Sequence, residues 1–140
     1  MIEHPTYSFW VAGEPTTQGS MSAVVGRDGK AHMIHAWKAG KVTAWRRLVA
    51  VTARNEGVQP APKGTPVRVA YEFHLPRPKK PTYSYPMLDL DKLERAVGDA
   101  LKEVAWVDDS QVTGAACTKR FAGAEGPGVA IDIEWLEDWQ

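Results

Sequence analysis

Between Leu88 and Val112 the chain carries Asp89, Asp91, Glu94, Asp99, Asp108 and Asp109, with Lys92 and Arg95 among them. Carboxylates gathered in this way repel one another unless a cation lies between them, and hard oxygen donors suit Mg²⁺, with Mn²⁺ as a substitute. Two such ions about 3.5–4 Å apart can activate a water and stabilise the leaving oxygen of an in-line phosphodiester cleavage. Asp89 and Asp91 stand two apart just before an expected helix, a spacing that in extended backbone points both carboxylates the same way. Asp108 and Asp109 follow the same helix. Sequence spacing alone does not bring the two pairs together.

Each of these residues also has an ordinary structural use. Asp91 with Glu94 three residues on reads as a capping box, and Arg95, four residues from both Asp91 and Asp99, reads as a surface ion-pair residue. Asp108-Asp109-Ser110 reads as a turn. Taken singly, every aspartate is better explained by structure; their joint order is what points to chemistry. Elsewhere, His32 and His35 are three apart but fall in an expected hairpin, with no Cys or acidic partner at a zinc spacing. Cys117 is the only cysteine, so no internal disulfide is expected, and without a nearby base it reads as a structural thiol. Most of the six tryptophans sit on apolar stripes; Trp37, beside Lys38 and Lys41, is the one placed to contact nucleic acid.

The formal net charge of zero hides a segregation. Residues 1–80 hold twelve Lys and Arg against five Asp and Glu, a balance of +7, and residues 81–140 hold the reverse, −7. Such a chain can offer a basic surface to a polyanion and an acidic cluster to cations, although the two halves can also simply neutralise each other. At 140 residues one core and one domain, spanning 1–140, are expected. No apolar run approaches the roughly 20 residues of a membrane span, and the N-terminus lacks a basic flank followed by an apolar stretch. These features predict a cytoplasmic protein with no membrane partner and no organic cofactor.

The elements that must hold the carboxylates are legible from periodicity. Tyr7 to Ala12 predicts a strand, and Arg27-Asp28-Gly29-Lys30 predicts a hairpin turn between Val24-Val25 and Met33-Ile34. Val42, Trp45, Leu48, Val49 and Thr52 define an amphipathic helix whose outer side bears Lys41, Arg46, Arg47 and Arg54. Val67 to Leu75 alternates with period two, and Pro76-Arg77-Pro78-Lys79-Lys80-Pro81 predicts an exposed basic loop. Leu93, Ala96, Val97, Ala100, Leu101 and Val104 mark a second helix. Strands are predicted over 112–121 and 129–135, around the turn Gly123 to Gly128.

The order Asp89-Leu90-Asp91, Asp99-Ala100-Leu101 and Asp108-Asp109-Ser110-Gln111-Val112 closely resembles the RusA family of Holliday-junction resolvases, often found in phages and prophages. Gly13-Glu14-Pro15 with Gln18-Gly19-Ser20 is similar to that family's opening, and Lys119 falls where it carries a lysine, so the resemblance runs from about Phe9 to Ile133. It implies an α+β fold, a small mixed β-sheet packed against two α-helices, assembled as a homodimer acting on branched, four-way DNA by paired nicks. It further implies that Asp89, Asp91 and Asp109 bind Mg²⁺, that Asp108 is an accessory ligand, and that Arg95 and Lys119 support the phosphate. The basic residues Lys38, Lys41, Arg46, Arg47, Arg77, Lys79 and Lys80 would grip phosphate backbone. Two positions depart from the pattern: Lys92 stands for the usual Asn, and Arg95 for the usual Lys. Arginine keeps the charge but cannot give up a proton, which makes a catalytically silent junction-binding protein the alternative. A phage-encoded chain would work in the host cytoplasm.

Overall fold

A computed structural model of the chain describes residues 5–18, 23–25, 31–33 and 36–137. The elements follow in the order β1 (Thr6–Ala12), β2 (Ala23–Val25), β3 (Ala31–Met33), α1 (Ala36–Asn55), β4 (Val67–Leu75), α2 (Leu90–Leu101), a 3₁₀ turn (Asp109–Gln111), β5 (Val112–Phe121) and β6 (Gly128–Trp135). Four strands form one mixed sheet in the order β1-β6-β4-β5, in which only β4 and β5 run parallel. β2 and β3 pair antiparallel as a separate hairpin. The architecture is α+β, a four-stranded mixed sheet with two helices. The turn residues 26–30, His35 and the side chains of His32, Trp37 and Lys38 lie outside the described residues.

Period-two alternation puts Val67, Val69, Tyr71, Phe73 and Leu75 of β4 and Val129, Ile131 and Ile133 of β6 on one buried face. The stripe Leu93, Ala96, Val97, Ala100 and Leu101 of α2 and Trp45, Val49 and Ala53 of α1 join the same core. β4 and β5 are parallel, so their connection must cross over, and α2 is that crossover. The crossover fixes the site: it lays α2 along the sheet and delivers the chain to the start of β5. Gly128 is demanded by packing, because a Cβ there would meet Trp10 Cζ2 at 2.3 Å and the Val11 carbonyl at 2.5 Å. α2 ends at Leu101 rather than running to Val104, as Lys102 leaves helical geometry.

The opposite face of the sheet is polar. His74, only 6% exposed, bridges two carboxylates: Nδ1 lies 2.6 Å from Glu125 Oε1 and Nε2 lies 2.9 Å from Glu72 Oε1. The Trp10 ring stands edge-on to it at 4.9 Å, and Arg120 Nε approaches Glu72 at 3.4 Å. Glu125 closes the β5–β6 turn. Hydrogen bonds from its own backbone N–H, from His74 and from the Gly123 N–H hold its carboxyl down at about 2. A carboxyl whose folded value lies below its ordinary 4.5 stabilises the fold above that pH, and the contribution disappears as pH falls toward 2. Melting temperature is therefore expected to drop through this window, and less steeply in Glu125→Gln. Parallel melting curves for the two proteins across the window are the check; identical slopes would remove Glu125 from the acid response.

Candidate active site

α2 begins at Leu90, two residues before the start at Lys92 that an extended Asp89-Leu90-Asp91 requires. Asp89 is its N-cap, with extended backbone and no side-chain cap, while Asp91 already lies in the first turn. The two carboxylates therefore do not share an extended face, and the capping box expected from Asp91 and Glu94 does not form. Helical geometry instead places Asp91, Glu94, Arg95, Gly98 and Asp99 along one flank, beside the buried stripe. That flank faces an open cleft of about 290 Å³, which is also lined by Val69, Tyr71, Trp106, Asp109 and Val112.

Asp109 reaches the cleft because the chain before β5 is tied down twice. The Trp106 indole, buried in the core, donates Nε1–H to Asp109 Oδ1 at 3.0 Å. Gln111, 5% exposed, accepts the N–H groups of Val107 and Asp108 at 2.8 and 2.9 Å. Its Nε2 donates to the carbonyls of Ala61, Pro62 and Thr65 at 2.9–3.3 Å. Asp108 caps the 3₁₀ turn by accepting from the Ser110 N–H at 2.9 Å, and the hydrogen bonds from Ser110 hold its carboxyl below the usual range. Asp108 thus serves the turn. Asp109, one residue on, faces the cleft.

Of the residues that the resemblance assigns to the site, the cleft collects Asp91, Asp109 and Arg95, and it adds Glu94 and Asp99. Asp89 and Asp108 are not in its lining; Asp89 pairs with Lys92 at 3.3 Å on the surface. Arg95 has no ion-pair partner among the described residues. Lys119 does not line this cleft either: its ammonium donates to the Leu88 carbonyl at 2.7 Å, fixing the entry to α2. Arg77, Lys79 and Lys80 project from the exposed loop after β4, with Arg77 over the Phe121 ring at 5.5 Å. Arg46 and Arg47 lie on α1, Arg46 half-buried and Arg47 exposed.

Two supports escaped sequence reading. Gln18 donates its backbone N–H to the Lys92 carbonyl at 3.0 Å and its side-chain amide to Asp99, pinning the segment after β1 along α2. Burial first, and then the charge of Glu94, push the Cys117 thiol up to about 12, which keeps it protonated at neutral pH. Tyr71, under the cleft, is raised above its ordinary phenol value chiefly by burial, with Cys117, Glu94 and Asp109 adding to it. Neither the placement of Gln18 nor that of Cys117 follows from local spacing, whereas the burial of Tyr71 follows from the period of β4.

The donor chemistry suits a hard divalent cation. Among the described residues no three His, Cys, Asp or Glu side chains are close enough to cage a metal ion. Mg²⁺ does not require a cage, since it typically takes one or two protein carboxylates and keeps waters and phosphate oxygens for the rest. Asp91 and Asp109, exposed in an open cleft beside an unpaired arginine, fit that mode of binding. A mixed sheet, a crossover helix and an open cleft lined by carboxylates and an arginine describe an α+β domain with a candidate divalent-metal site. The family model for endodeoxyribonuclease RusA matches residues 13–134, most of the chain, and the chain belongs to this family. RusA endodeoxyribonucleases resolve Holliday junctions and generally depend on divalent metal. No curated protein matches the chain. Among the described residues no helix is long and apolar enough to cross a membrane.

Proposed function

We propose that the protein is a Mg²⁺-dependent, structure-selective endodeoxyribonuclease, folded as one domain and assembled as a homodimer, that resolves four-way DNA junctions by paired hydrolytic nicks. The observation that carries this reading is the convergence of Asp91, Asp109 and Arg95 on one open cleft. Asp91 and Asp109 would hold the metal, and Asp89 would join them on leaving Lys92. A divalent ion bound there supplies an activated water and neutralises charge on the phosphate. Arg95 places a fixed positive charge against the same phosphate, Trp106 and Gln111 hold Asp109 in position, and Lys119 steadies the start of α2. Asp108 acts through the turn that presents Asp109. A two-fold dimer matches the two-fold symmetry of a four-way junction, with one cleft for each cut.

The test is nicking of a synthetic four-way junction with and without Mg²⁺. Paired nicks that appear only with the metal support the reading; tight binding without nicks would identify the silent junction-binding alternative.

Lys41, Arg46 and Arg47 on α1 and Arg77, Lys79 and Lys80 on the loop are the residues assigned to the phosphate backbone; Lys38 joins them on sequence grounds. Each phosphate contact releases counterions, so log K should fall with log salt by about 0.9 per contact. Arg77/Lys79/Lys80→Ala is expected to flatten that slope by about two to three. An unchanged slope in binding titrations over NaCl would remove the loop from the DNA surface.

A further inference from the structure

The loop between β4 and α2 carries more than charge. Pro76, Pro78, Pro81 and Pro86 stiffen it, and Lys119 clamps its end at the Leu88 carbonyl. Along it Tyr83, Tyr85 and Met87 are 48%, 53% and 70% exposed. The two tyrosine rings stack on each other, 5.2 Å between centroids and 10° between planes, and Lys119 Nζ lies 5.7 Å from the Tyr85 centroid. Together with Lys80, Leu88 and Phe121 they line a shallow cleft of about 390 Å³. The chain runs from here directly into Asp89 and α2.

Large rings left in water on a stiff, clamped loop fit a partner that offers flat apolar faces. The surrounding charge selects which partner. Lys80 lines the patch, Lys119 lies over the Tyr85 ring and Arg77 over the Phe121 ring, against the single carboxylate of Glu14, so a second copy docked through it on a two-fold axis would set mostly cation against cation. A polyanion meets no such repulsion. In a duplex the base faces are stacked on one another and closed to side chains, whereas at a branch point they can be unstacked and taken up by aromatic rings. We propose that the Tyr83–Tyr85 platform, edged by Lys80 and Lys119, binds unstacked nucleobases at the branch point of the DNA. This rests on the reading of branched DNA as the substrate and assigns the element that tells a junction from a linear duplex. The platform adds affinity only where bases are free, while the lysines and Arg77 grip any backbone.

The experiment compares wild type, Tyr83→Ala/Tyr85→Ala and Tyr83→Phe/Tyr85→Phe by fluorescence anisotropy with Ca²⁺ present. Three DNAs are used: a four-way junction, a linear duplex of equal length, and a junction made abasic at the branch point. The double alanine variant is expected to lose about tenfold or more on the junction, the scale of aromatic–base stacking, and under about twofold on the duplex. The double phenylalanine variant should bind like wild type. Wild type should lose a similar factor on the abasic junction, while the alanine variant should not distinguish it from the intact one. Equal losses on junction and duplex, or no loss at all, would overturn the proposal. So would a loss accompanied by dissociation of a dimer in sedimentation, which would make the patch a self-association surface. Cleavage is not read here, so a protein that prefers junctions but cannot cut them would overturn only the catalytic reading. A wild type with no preference for junctions would overturn both.

Discussion

Asp91→Asn is expected to abolish junction cleavage while leaving junction binding intact or slightly tighter. Asp91 lies in the first turn of α2, exposed and facing the cleft, and takes no part in capping the helix, which begins at Asp89 without a side-chain bond. The substitution keeps the shape and removes one formal charge, so the melting temperature should hardly move; surface changes of this kind usually stay within about 0.5 kcal/mol. Chemistry should respond very differently. A carboxylate that shares a cation with Asp109 cannot be replaced by a neutral amide without weakening the ion's hold, whereas binding rests on Lys and Arg elsewhere. Removing a negative charge from a cleft that approaches a polyanion should, if anything, favour association. Single-turnover cleavage at saturating Mg²⁺, beside anisotropy titrations on the same junction, checks both halves. A rate within tenfold of wild type would remove Asp91 from the metal site.

The fold was legible in sequence wherever one periodicity governed a whole element. Alternation from Val67 to Leu75 and the stripe from Leu93 to Leu101 each describe one buried face, and burial against a single core leaves little freedom in how such faces lie. The site was legible only as a set of residue types. Whether Asp89 and Asp91 point together depends on whether Leu90 is extended or helical, a one-residue question that propensity does not resolve. Glu94 reads as a capping-box partner and Asp99 as an ion-pair partner of Arg95, because Cys117 and Gln18, which influence them in the fold, are far away in sequence. Gln111 was noted as part of a motif, yet its work is to hold the turn before β5 onto the loop at 61–65. The tyrosine platform was missed for the opposite reason. Tyr83 and Tyr85 alternate with small residues and resemble a strand end until the prolines around them leave both rings in solvent.

Arg95, on the cleft flank of α2, carries the second large effect. If it acts by setting positive charge against the transition-state phosphate, Arg95→Ala should lose about 10²-fold or more in cleavage rate, the scale of deleting one preorganised donor. Arg95→Lys should retain most of the activity. The side chain is exposed on the cleft flank of α2 with no ion-pair partner among the described residues, so the fold asks little of it. A purely structural role through Asp91 or Asp99 predicts the reverse pattern: a loss of a few tenths of a kcal/mol in stability and an unchanged rate. Charge and shape also separate, because guanidinium can hold two phosphate oxygens at once and ammonium acts as a point charge. If bidentate geometry matters, Arg95→Lys falls between wild type and alanine; if charge alone matters, it matches wild type. Proton transfer by this residue predicts a third pattern, since arginine stays protonated at any working pH: Arg95→Lys would then be faster than wild type and acquire a new pH dependence. Single-turnover rates for the three proteins across pH, with melting curves beside them, distinguish these outcomes. A folded Arg95→Ala protein with full activity would reduce the residue to a surface position on α2.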